Sequence, residues 1–158
     1  MNEEQYTEMF KYLVEMERRY SENLRILADR IKHPVMKALL IGIANDSEKH
    51  AQFYTAIIEL ITKYQPAISQ EEFKILKEEI EKHIETELKM IETTKQLFTK
   101  FGDPRVKLLL MAIHEDEIKH HKVLISIRDN VTTEYVINEE DMWNAIWRDS
   151  PWHGTPGG

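Results

Sequence analysis

Residues 34–50 read PVMKALLIGIANDSEKH, and residues 104–120 read PRVKLLLMAIHEDEIKH, with eight of the seventeen positions identical at an offset of 70. The identities include Pro34 with Pro104, Leu40 with Leu110, Ile43 with Ile113, Asp46 with Asp116, Lys49 with Lys119 and His50 with His120. Self-similarity at a fixed offset marks an internal duplication in which each copy is one supersecondary unit. Each copy opens on proline, which suits the first turn of a helix because its missing N–H is one that a helix start leaves unbonded anyway.

Working outward, Phe10, Leu13, Tyr20, Leu24, Leu27 and Ile31 recur at helical spacing and predict a first helix over about residues 3–32. Met36, Leu40, Ile43, Tyr54, Ile57 and Ile61 define the expected buried stripe of a second helix, ending near Tyr64 ahead of Pro66. In the second copy Ser69 with Glu72 reads as a capping box, followed by the stripe Ile80, Ile84, Ile91, Thr94 and Phe98, with Gly102 placed to end the helix. Asp103 and Pro104 then cap and start a fourth helix whose inward residues would be Val106, Leu110, Ile113, Leu124 and Ile127, to about Asn130. Short connections make neighbouring helices antiparallel, so the expectation is an all-α four-helix bundle over residues 1–131, built from two duplicated hairpins. An up-down-up-down order is simplest, and a longer crossover stays open. Residues 132–158 read as a short C-terminal helix on Met142, Ile146 and Trp147 followed by an irregular tail, SPWHGTPGG; the three tryptophans of this segment would pack on the bundle or on a second subunit.

Composition agrees. A chain of 158 residues with only five Gly and five Pro favours long helices in one domain. A formal charge of −7 argues against nucleic acid and anionic membrane surfaces, which are bound through clustered Lys and Arg. No Cys means no disulfide, no thiolate ligand and no thiol chemistry. The start, MNEEQYTEMF, lacks a basic and then apolar leader, and no eighteen apolar residues run together, so a cytoplasmic protein with no membrane span is expected.

The polar residues inside the apolar stripes carry the chemistry. Glu117 and His120 fall between Ile113 and Leu124, and their E-x-x-H spacing sets both side chains on adjacent turns of one helical face. His50 holds the matching place in the second helix, Glu17 continues the stripe of the first, and Glu87 that of the third, again 70 residues from Glu17. Several kcal/mol of desolvation for each buried ion makes five such groups very costly as free charges, and a bound cation removes the penalty. Carboxylate oxygens with imidazole nitrogens suit iron or manganese, and zinc by affinity.

In these residues the chain resembles the ferritin-like superfamily, and within it the rubrerythrin-related di-iron carboxylate proteins, over about residues 5–130. The resemblance implies a Glu from each of two helices and an E-x-x-H from each of the other two, which correspond here to Glu17, Glu87, Glu117 with His120, and the SEKH segment containing His50. It departs at Ser47, which stands where the family has a glutamate that bridges two metals. A hydroxyl is shorter and neutral, so one ion or two is left open. By the same resemblance Asp46 would orient His120, Asp116 would orient His50, and Tyr20 lies one turn beyond Glu17. His114 and His121 flank Glu117 toward the edge of the stripe, as solvated or structural side chains, with His121 an alternative proton relay. The implied activity is that of a non-haem iron peroxidase or oxidase, in a homodimer or higher homo-oligomer. Without cysteines to hold an electron-transfer iron it would need an external electron donor. The competing readings are a non-enzymatic iron-handling protein and a structural bundle with a vestigial metal site.

Overall fold

The computed structural model describes residues 2–63 and 68–131; the expected C-terminal helix and its tryptophans lie outside the described residues. Four α-helices follow one another, α1 Glu3–Asp29, α2 Pro34–Thr62, α3 Gln70–Lys100 and α4 Pro104–Val131, with no strand among the described residues. At 1.5 Å per residue each is about 40 Å long or slightly more. No described helix is long and apolar enough to cross a membrane.

Each helix start has a local cause. Asn2 caps α1 reciprocally with Gln5: the Gln5 N–H donates to Asn2 Oδ1 and the Asn2 N–H to Gln5 Oε1, both at 2.9 Å. The N-x-x-Q spacing that signals this box was available in the sequence. Ser69 and Glu72 form the expected box at α3, and the bonds from the Ser69 hydroxyl and N–H hold the Glu72 carboxyl below its usual range. Pro34 and Pro104 occupy first turns. Asp103 accepts from the Arg105 N–H at 2.8 Å, and its bonds to Arg105 pull its carboxyl down to about 2. The end of α3 differs from expectation: Phe101 closes it in an extended conformation, its N–H bonded to the Leu97 carbonyl at 3.3 Å, and Gly102 adopts no positive φ. The chain simply straightens into Asp103 and Pro104, so no left-handed residue is needed.

The chain divides into two compact units, residues 1–66 and 67–158, each with one helical hairpin. In the first, partners run in opposite directions along α1 and α2: Arg25 with Asn45, Ser21 with Ala44, Glu17 with His50 and Phe10 with Tyr54. Thr7, Val14, Ser21 and Ala28 are buried at seven-residue intervals with Leu24 beside them, the spacing of a supercoiled seam. Ala44, Ser47 and Ala51 face them from α2. Ala28, Ala44 and Ala51 are wholly buried, and small residues let the backbones close until Ser21 Oγ donates to the Ala44 carbonyl at 2.8 Å. The second hairpin is also antiparallel, with Phe98 beside Lys107, Thr94 beside His114, Glu87 beside His120 and Glu81 beside Arg128.

The buried lines differ from the predicted stripes in two ways. A two-helix seam covers only a narrow strip, so Tyr20, Leu27, Met36, Ile43 and Phe98, all expected to be interior, are exposed. In α4 Ile113 departs from the predicted stripe at 46% exposed, Glu117 is buried as expected, and His114 and His121 are half-buried alongside Val106, Leu110, Leu124 and Ile127. Five methionines, Met9, Met16, Met36, Met90 and Met111, are exposed to similar degrees.

Candidate metal centre

Glu87, Glu117 and His120 each offer one ligand atom, and these atoms lie within 4.8 Å of one another. Glu87 comes from α3, where it continues Ile80 and Ile84 one turn on; Glu117 and His120 come from α4, three residues apart. His120 Nδ1 is 3.8 Å from Glu87 Oε1 and 3.8 Å from Glu117 Oε2. Those separations are too long for hydrogen bonds.

Glu117 is 9% exposed. Burial raises its carboxyl to about 7, helped by the neighbouring Glu87 carboxyl, opposed by His120 and pushed further by Asp116. Two neighbouring carboxylates, Glu117 buried and Glu87 half-buried, do not both ionise cheaply unless a cation joins them, and His120, expected to point inward, stands exposed beside them. Glu87 Oε2 and Glu117 Oε2 are buried without a hydrogen-bond partner, and so is His121 Nδ1. Leaving such a group unpaired costs about 1–3 kcal/mol. Orphaned oxygens on both acids beside an imidazole form a donor set that could hold a divalent cation.

The flanking imidazoles, read from the sequence as solvated or structural side chains at the edge of the stripe, are half-buried. His114 and His121 lie in the α3–α4 seam with Glu117, because positions 114, 117 and 121 share one face. Thr94 Oγ1 is 2.9 Å from the Met90 carbonyl, 3.0 Å from the Ile91 carbonyl and 3.0 Å from His114 Nδ1. A hydroxyl has one proton, so the tautomer of His114 decides whether Thr94 donates to the ring or accepts from it.

In the first hairpin Glu17 and His50 meet as expected: His50 Nδ1 stands 3.4 Å from Glu17 Oε1. They share a cleft of about 450 Å³ with Leu13, Met16, Tyr20, Ile43, Asp46 and Ser47. Ser47 is 4% exposed, while Tyr20 stands half open at the cleft. Asp46 and Asp116, expected to orient imidazoles, are exposed, and each pairs within its own helix, with Lys49 at 2.6 Å and with Lys119 at 3.3 Å. No family model, no curated protein and no solved structure matches the chain.

Proposed function

We propose that this chain is a carboxylate–histidine metal protein of the rubrerythrin-related kind, binding iron and reacting with peroxide or dioxygen. The observation that carries the reading is the cluster of Glu87, Glu117 and His120, with one buried, unpartnered oxygen on each carboxylate. The resemblance adds Glu17 and His50 as further candidate ligands, with Tyr20 one turn beyond Glu17. Manganese and zinc suit the same donors.

Iron bound there would supply the electrons that break an O–O bond. The side chains hold the ion and keep it between two helices. Glu117, its carboxyl raised to about 7 by burial and by Glu87, gives up any proton it holds when a cation binds. Electrons must come from an external donor, since the chain has no Cys to ligate a second iron centre.

The test is an anaerobic titration with Fe(II), followed by peroxide added to the loaded protein with a chemical reductant present. Saturable uptake, lost in Glu117→Ala and Glu87→Ala, with peroxide consumed over many turnovers, is the expected result. Uptake without turnover would make the chain an iron-handling protein, and no uptake would leave a helical scaffold.

A further inference from the structure

The two seams occupy one register 70 residues apart and differ in chemistry. Leu24, Ala44, Ser47 and Ala51 in the first hairpin stand where Thr94, His114, Glu117 and His121 stand in the second. The first closes on wholly buried alanines, with the Ser21 hydroxyl bonded across it. Among the described residues, the buried side-chain atoms that lack a partner, Glu87 Oε2, Glu117 Oε2 and His121 Nδ1, all belong to the second. One half of the duplication therefore has an apolar reason to stay closed, and the other has unmet polar groups in the same place.

We propose that α3–α4 is a cation-latched hairpin: one divalent transition-metal ion, taken by Glu87, Glu117 and His120, closes it, whereas α1–α2 is closed with or without metal. The proposal rests on the metal-binding reading above and adds which half of the molecule obeys the ion. It does not stand on clustered acids alone, because Glu117 is 9% exposed and has an unsatisfied oxygen within the cluster. The ligands come from both helices, so an ion at this point cross-links α3 to α4 at mid-length. Two carboxylates balance a charge of +2, and the neutral imidazole of His120 adds a donor without adding charge. Binding free energy at a site whose ligands are brought together only in the closed state becomes closing free energy. Local opening of one hairpin ahead of the other is an ordinary consequence of uneven stability across a chain.

Hydrogen exchange read by mass spectrometry on the full chain, first with a chelator and then with Mn(II), tests the proposal, with uptake measured independently by calorimetry. In the chelated protein, amides around residues 84–94 and 114–124 should exchange at least about tenfold faster than those around 14–24 and 44–54, and Mn(II) should slow the first set about tenfold while leaving the second within about twofold. The seam graft His114→Ala, Glu117→Ser, His121→Ala, which gives α4 the residues of the first hairpin, should protect α3–α4 in chelator and abolish its response to Mn(II). Binding of Mn(II) with equal protection of both hairpins, or with none, overturns the latch and leaves the metal reading standing. A graft that exchanges faster than the parent in chelator also overturns it. Absence of any Mn(II) or Zn(II) uptake removes the metal reading and the latch with it.

Discussion

At the scale of single residues, Glu117 sets how the metal-free protein responds to pH. Its carboxyl is raised from 4.5 to about 7, so between those values the folded state holds a proton that the unfolded chain has lost. Stability therefore falls as pH rises through that window, and is fully retained below it. The melting temperature in chelator should drop from pH 4.5 to 7, and Glu117→Gln, which never ionises, should flatten that part of the profile. Metal affinity must move the other way, rising with pH, because the ligand has to give up its proton first. Ser47 holds the corresponding place in the first hairpin at 4% exposure, in the same seam as Ala44 and Ala51. Ser47→Glu would overfill that seam at a cost of about 1–3 kcal/mol in chelator. It should also bring bound ions per chain from one toward two, as counted by metal analysis; an unchanged count would detach Ser47 from the centre.

At the scale of the elements, the helices depend on their caps and on how closely they approach. Ser69→Ala removes a reciprocal box and should cost about 1 kcal/mol by chemical denaturation. Ala44→Leu should cost more, about 1–3 kcal/mol, since it forces apart backbones close enough for Ser21 to bond the Ala44 carbonyl. The caps show what the sequence made legible: Pro34, Pro104 and the Ser69–Glu72 pair act within four residues of chain, and local signals of that kind survive without knowledge of the partner helix. The E-x-x-H pair was legible for the same reason, while its junction with Glu87 was suggested by the stripe of the third helix, the offset of 70 from Glu17 and the resemblance. In α4 the stripe was legible at Val106, Leu110, Glu117, Leu124 and Ile127 and failed at Ile113, because hydropathy ranks Ile113 above the half-buried His114 beside it. Nor did apolar periodicity reveal Ala44 and Ala51, whose contribution is closeness rather than side-chain bulk.

At the scale of the whole molecule, the formal charge of −7 makes a divalent cation a favoured guest, and loading should read out as stability. A ligand at one hundred times its dissociation constant adds about 2.7 kcal/mol to a folded state that alone binds it. Mn(II) or Zn(II) should therefore raise the melting temperature of the parent chain and leave the Glu87→Ala, Glu117→Ala double variant unmoved. Salt screens surface charge over about 8 Å at physiological ionic strength, so the gain should persist at higher salt if the ion sits beside the buried Glu117.

Met90 lies three residues after Glu87, one turn along α3, and is 40% exposed; Met9, on α1, is 41% exposed. Equal access to solvent makes the two thioethers a matched pair whose rates of oxygen uptake from bulk oxidant should agree. An oxidant generated beside Glu87 would break that parity and turn Met90 into its sulfoxide first, a polar and chiral group in place of a supple apolar one. Sixteen mass units on the peptide bearing Met90, absent from that bearing Met9, would be a covalent record of turnover written into the chain itself.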